Sequence, residues 1–345
     1  MNSQKEGGLY FPDDLDAWRR WEASRHVLRR SWAAVRRWGR PAEPPAAHLL
    51  LPEDEPDVLV VIDVWSPSCR FAVGDPLRAM DPRRSAVLTS VPEAIADFSA
   101  GRHDVLFERP EQIPDSVKSV VTLGAYNELA GRVEPWARRH DARFVVVQHG
   151  LLTPWAPPLN EGAHLVAWSE DDGRFWSAGR PGITWEVLGS QMLWRASQEQ
   201  TGGLADDRPI MLGQLHGTEL PRIDKQRAYT QFSRQSGAQY RPHPNETDAI
   251  SRAQHRVMRA SGVEFEGSGR AIGDLRRPVL SIFSTGTLEA AHRGLPAWVH
   301  HPNPPAWLTE FWSRYGLSPY RGRPTAPMPL PALEPAAAIA QAVQP

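Results

Sequence analysis

Seven short apolar runs between residues 58 and 188 constrain this chain more than any other feature. They cover 58–63, 85–89, 103–107, 118–123, 144–147, 164–168 and 184–188. Most are continuous blocks of aliphatic and β-branched residues, with no polar residue at every second position. Strands of that kind are buried on both faces, as in a parallel sheet covered by helices. The segments between them include helix-forming stretches at 91–100 and 125–140, so the expectation is an α/β domain. A second series follows. Strands are expected at 209–215, 238–241, 263–265, 279–283 and 297–300, and helices at 221–236, 246–260 and 286–293. The polar stretch 195–208 (RASQEQTGGLADDR) reads as a linker, and the Pro-rich tail ends in a helix at 332–343. The expected fold class is α/β, with two doubly wound Rossmann-type domains facing a central cleft. The division is 1–48 (amphipathic helix and Pro-rich linker), 49–195, 205–330 and 331–345.

Composition excludes several classes. Of 345 residues, 41% are hydrophobic, and no stretch approaches the roughly 18–20 continuous apolar residues of a membrane span. The start, MNSQKEGGLYFPDD, lacks the basic and apolar regions of a secretory signal. A single cysteine, Cys69, leaves no disulfide framework and no multi-cysteine metal site. A cytoplasmic protein is expected. The net charge of −1 lacks the broad basic excess of a nucleic-acid binder. Yet residues 19–40 hold eight arginines against one glutamate. Residues 13–38 read as an amphipathic helix with Trp18, Trp21, Leu28, Trp32 and Val35 on one face. That helix either packs on the first domain or makes peripheral contact with the inner face of an anionic membrane.

Ligands of doubly wound sheets sit outside the carboxyl ends of the strands. Three such ends stand out. The run 144–147 ends in Gln148-His149-Gly150. His149 is either a satisfied histidine at a turn or a group that takes a proton from substrate. The run 238–241 ends in YRPHPNE. There Pro242 and Pro244 stiffen the backbone around His243, and Arg241 is suited to a bidentate phosphate contact. The run 279–283 ends in Ser284-Thr285-Gly286-Thr287 before Leu288 and Glu289. Hydroxyls and a glycine between a buried strand and a helix read either as an anion site or as an ordinary N-cap.

Weaker features accompany these. SEDDG (169–173) places Glu170, Asp171 and Asp172 after a strand, as a solvated acidic turn or as a rival base to His149. LGQLHGTE puts Gly213 and His216 at the end of the second domain's first strand, in position for a donor loop. His300-His301 has no partner at metal spacing, so no metal site is expected. No Walker, H-E-x-x-H or G-x-S-x-G motif occurs.

VVQHG, YRPHP and SIFSTGTLEAAHRGLP, in that order, resemble the GT-B-fold transferases of cell-surface polymer synthesis. Among these the chain is similar to CDP-glycerol glycerophosphotransferases of teichoic acid synthesis and to capsule-type sialyl- and polysialyltransferases. The resemblance covers about residues 140–300. It implies that His243, Ser284 and Thr285, with Arg241, Gly286 and Thr287, contact a nucleotide-activated donor. It further implies that Glu289 holds the ribose and that His149 is the base. The implied donor carries CMP, CDP or UDP. The implied acceptor is a hydroxyl on a glycan, a lipid-linked or a small molecule, and no separate cofactor is expected. Gln148 stands where the polymerase group has tryptophan, and Ile282-Phe283 where it has aspartate. The resulting expectation is a metal-independent glycosyl or glycerophosphate-like transferase. The alternatives are a GT-B-fold nucleotide-sugar epimerase and a non-catalytic nucleotide- or polymer-binding module.

Overall fold

The structure is a computed structural model that describes residues 8–25 and 46–344. The chain divides into two units. The first contains residues up to Met192 together with Leu330–Pro345, and the second is Leu193–Pro329. The boundary falls inside a helix, three residues before the domain end read from sequence, and the tail returns to the first unit.

The first unit opens with α1 (Leu15–Arg25). Its strands are β1 (His48–Leu51), β2 (Val58–Ile62), β3 (Ser85–Thr89), β4 (His103–Leu106), β5 (Ser119–Thr122), β6 (Arg143–Val147), β7 (His164–Ala167) and β8 (Thr184–Val187). Between them run α2 (Pro67–Cys69), a π-helical turn Arg70–Gly74, α3 (Asp75–Ala79), α4 (Pro92–Phe98), α5 (Glu128–Arg139) and α6 (Glu170–Ser177), and α7 (Gln191–Gln198) follows β8. The sheet order is β4-β1-β3-β2-β5-β6-β7-β8. The six strands from β3 to β8 are parallel, whereas β1 runs antiparallel to both of its neighbours. Strand β1 lies in what the sequence suggests is a Pro-rich linker. Its four residues HLLL bury Leu49 and Leu50 completely, and that burial outweighs the flanking prolines.

Both faces of the inner strands are covered, as the continuous apolar runs require, whereas the edge strands β4 and β8, expected to be buried as well, are exposed or half-exposed because each has a neighbour on one side only. Leu59, Val61, Leu88, Val120 and Val146 pack with Leu129, Val133 and Trp136 of α5. Val58, Val60, Ile62, Val87 and Val121 pack on the opposite face with Val73, Leu77 and Phe98. The C-terminal helix (Pro335–Val343) adds Ile339, Ala340 and Val343 to that second core. Gln191 latches it, donating to Glu334 at 2.6 Å and accepting the Ala336 N–H at 2.9 Å.

Helix α1 also packs on the first unit. Trp18 is buried and donates from Nε1 to the Trp155 carbonyl at 2.8 Å, while Arg19 reaches the Ala125 carbonyl at 3.2 Å. Leu28, Trp32 and Val35 lie outside the described residues. Among the described residues no helix is long and apolar enough to cross a membrane.

The second unit has β9 (Ile210–Leu212), α8 (Arg222–Ser236), β10 (Gln239–Arg241), α9 (Ala249–Ala260), a short α10 (Ile272–Leu275), β11 (Val279–Ser281), α11 (Gly286–His292), β12 (Ala297–Val299) and α12 (Ala306–Arg314). The parallel order is β10-β9-β11-β12. Single parallel bridges extend it, Phe265 beside Tyr240 and Pro319 beside Val299. Counted along the chain the order is 3-2-1-4-5-6, that of the dinucleotide-binding fold. The expected strand at 263–265 thus shrinks to one bridge. Local signals end the elements where expected. Asp248 caps α9 by accepting the Ile250 and Ser251 N–H groups, and Gly237 closes α8 at a left-handed φ of 70°.

Ile339→Ala should cost about 2–4 kcal/mol of first-unit stability. Native-state hydrogen exchange should show faster exchange in β2 and β3 and unchanged protection in β9 and β11.

Candidate functional site

In a sheet of order 3-2-1-4-5-6 the crevice opens between the first and fourth strands, here β9 and β11. The loop leaving β9 carries Gly213, Gln214, Leu215 and His216. Gln214 Oε1 accepts the Phe283 N–H from the loop leaving β11, at 3.2 Å. Gly213 must be glycine, because a Cβ there would stand 2.3 Å from the Tyr240 hydroxyl and 2.8 Å from Glu246. Gly286 is similarly confined, with Leu212 Cδ1 at 2.6 Å from a would-be Cβ. The structure brings His216 and His243 together, their ring centroids 4.1 Å apart. His243 Nδ1 accepts the Asn245 N–H at 3.1 Å, so in the neutral ring the proton sits on Nε2. Burial, then the neighbouring His243 and Lys225, pushes His216 down to about 3, and burial lowers His243 as well. Both rings are therefore uncharged at neutral pH.

Two buried ionisable groups that sequence reading passed over hold this loop. Glu246 accepts from Leu215 N–H at 2.9 Å and from the Tyr240 hydroxyl at 2.8 Å, and His255 Nε2 lies 2.7 Å away. Lys225, fully buried, donates to the Gln214 carbonyl at 2.7 Å and to the Gly217 carbonyl. Burial lowers its pKa to about 8. Glu246 lies three residues beyond His243 in YRPHPNE, and that spacing was the only sequence signal for it.

The remaining donor-side residues have internal partners. Arg241, read from sequence as a phosphate fork, donates instead to Glu266 at 2.9 Å and to the Arg270 carbonyl at 2.6 Å. Ser284 Oγ caps the Gly286 N–H at 3.2 Å, and the Ser284 N–H is held by Ser281 Oγ at 3.0 Å. The Thr287 hydroxyl is buried 2.7 Å from Ser281 Oγ. Glu289 pairs with Arg293 at 3.3 Å on its own helix. Thr285 stands as the N-cap of α11.

In the first unit His149 lies at the carboxyl end of β6, beside Ser68, Gln191 and Met192. Its Nδ1 is buried with no hydrogen-bond partner, and burial pushes its pKa down to about 4. The adjacent Gln148 is fully used. Its Oε1 accepts the Trp168 N–H at 2.8 Å, its Nε2 donates to the Gly150 carbonyl at 3.0 Å, and its carbonyl accepts Trp168 Nε1 at 2.9 Å. Gln148 thus ties the ends of β6 and β7. The acidic turn at 169–173 is in fact the start of α6. Ser169 is its N-cap, and Asp172 is buried against the Ser169 hydroxyl at 3.0 Å. Asp171 is exposed and pairs with Arg174 at 3.2 Å.

Sequence reading also missed Asp63, at the carboxyl end of β2. It accepts the Leu129 and Ala130 N–H groups at 2.7 and 3.2 Å, which caps α5. Burial nevertheless raises its pKa above the usual carboxylate range. Asp63 lines a cavity of about 460 Å³ at the edge of the first sheet. Among the described residues no group of three or more His, Cys, Asp or Glu converges as a metal site.

No protein-family model and no curated protein matches this chain. Solved structures similar to it include a mutant O-GlcNAc transferase of Thermobaculum terrenum, at 16% identity and a TM-score of 0.45. That match covers 92% of this chain and 65% of the other, so the chain spans less than two thirds of that protein's length. A second is HepE of Anabaena in complex with UDP and glucose, at 13% identity and a TM-score of 0.43, covering 83% of this chain and 89% of that one.

The lowered histidines set a pH dependence. The unfolded chain binds protons on His149 and His216 below about pH 6.5, whereas the folded chain does so only near 4 and 3. Stability contributed by the neutral rings is therefore present above pH 6.5 and lost as pH falls towards those values. Thermal melts should show the midpoint falling between pH 6.5 and 5, and His216→Phe should flatten that slope.

Proposed function

We propose that the protein is a metal-independent GT-B-type transferase, moving a glycosyl or glycerophosphate-like group from a nucleotide-activated donor to a hydroxyl acceptor. The observation that carries this reading is the neutral His216–His243 pair on the carboxyl edge of a 3-2-1-4-5-6 sheet, with ring centroids 4.1 Å apart and planes tilted by 30°. His243 falls within YRPHP, one of the motifs of the sequence resemblance. On this reading His243 Nε2–H donates to a donor phosphate, and the segment Ser284–Gly286 lies against the same group. A half-buried, preorganised donor stabilises developing negative charge without reorganising. Arg241 acts indirectly, by holding the 264–270 segment. Ser281 and Thr287 hold the turn that presents Ser284.

On the acceptor side, His149 is neutral, as a general base must be before it takes a proton. Its low pKa makes it a weak base until a charged group comes near. Asp171 and Asp172 are left as surface and capping residues. A cytidine or uridine nucleotide is the expected donor carrier.

A thermal-shift panel of CMP, CDP, UDP, GDP and dTDP tests the reading. One pyrimidine nucleotide should raise the melting temperature, and His243→Ala should weaken its binding at least about tenfold, or 1.4 kcal/mol. Asp171→Asn should leave binding unchanged. A panel in which no nucleotide shifts the melt would overturn donor binding. Epimerised product from a labelled nucleotide sugar without acceptor would replace transfer with epimerisation.

A further inference from the structure

The first unit has its own topological switch point. Its parallel strands run β3-β2-β5-β6-β7-β8, so the chain order reverses between β2 and β5. Ligands of such sheets bind outside the carboxyl ends of the strands at that reversal. A cavity of about 460 Å³ lies there, within the ordinary range for small-ligand sites of roughly 300–1,000 Å³. The neighbouring strands β2, β3 and β4 each contribute a residue from their carboxyl ends, and antiparallel β1 contributes Ala46 and Ala47 from its amino end. Asp63 follows β2, Ser90 follows β3, Glu108 follows β4, and Asn127 and Glu128 lead into α5.

The chemistry of the lining selects its occupant. Three acidic residues, Asp63, Glu108 and Glu128, and one basic residue, Arg132, line the cavity. Arg132 is already engaged. It donates to the Glu108 carbonyl at 2.7 Å and lies 5.0 Å from the centre of the Phe107 ring. Phosphate brought here would meet three acidic residues against a single basic one. Hydroxyl and ammonium groups would instead find acceptors. Asp63 is held in one orientation by the Leu129 and Ala130 N–H groups, and a carboxylate has about four lone-pair sites, so each oxygen keeps acceptor capacity for a ligand. Ala47 and Leu129 supply apolar surface for C–H groups.

We infer that this cavity binds an uncharged or amine-bearing polyhydroxyl compound of monosaccharide size, with Asp63 as its hydrogen-bond anchor. The site stands on the cavity itself. It rests on the transferase reading only in naming the occupant as the acceptor rather than the donor.

The test uses the full chain without nucleotide and three probes: methyl glucoside, methyl glucosaminide and glucose 6-phosphate. Ligand-observed NMR should show both glycosides binding in the millimolar range or tighter, and the phosphate ester at least tenfold weaker. Amide shifts should localise to Asp63, Ser90 and Leu129. Ser90→Trp, which fills the cavity, should abolish binding, and Asp63→Asn should weaken it at least fivefold. Glu128→Gln should weaken only the glucosaminide. If Ser90→Trp does not fold, Asp63→Asn and Glu128→Gln carry the test. Glucose 6-phosphate binding as well as the glycosides, or no probe binding at all, would overturn the inference. Glycoside binding without any nucleotide shift in the melting panel would leave this site standing and remove the transferase reading.

Discussion

A parallel strand buried on both faces has no place for working polar side chains except at its ends. This constraint organises both units. In the first, Leu59 and Val61 enter one core while Val58, Val60 and Ile62 enter the other, so all five residues of β2 are spent on packing. The first residue able to carry a charge is Asp63. The same holds at β6, where Val145–Val147 are buried and Gln148 and His149 follow. Chemistry collects along one edge because the hydrophobic effect claims everything else.

At that edge, polar groups are held by buried partners. Glu246 and Lys225 lie under the β9 loop, and each anchors backbone groups that lead to His216. Burial also sets protonation. His149, His216 and His243 are all pushed towards the neutral form because a charged imidazole loses its water there. Neutral rings can donate from one nitrogen and accept at the other. For His243 the Asn245 N–H decides which nitrogen does which.

Much of the fold was legible from residue pattern. Strands β2–β5, β7 and β8 each lie within runs picked out by apolar continuity, and β6 exceeds its run by one residue, because that signal is local and strong. Strand β1 was hidden by prolines on either side of HLLL, and α2, α3 and α12 were hidden by their proline and tryptophan content. The acidic SEDDG segment looked like a turn because a first helical turn and a solvated turn favour the same residues. At the candidate site, the edge positions of His149, Gly213, His216, His243, Ser284 and Gly286 were readable, since each follows a strand directly. Their partners were not. Arg241 meets Glu266 and Arg270 from 25 and 29 residues away, and Asp63 caps a helix 66 residues downstream.

The sequence by itself determined that two α/β series exist and which residue types follow their strands, although β9 and β11 end two or three residues earlier than the apolar runs suggest. Only the tertiary structure decided strand order, and with it which of those residues lie next to one another. It also decided that the C-terminal helix belongs to the first unit, that Arg241 and Glu289 are paired, and that the histidines are neutral. The physical reason is one of range. Burial preference and turn chemistry are written in neighbouring residues, whereas hydrogen-bond partners and desolvation depend on groups brought close only by folding.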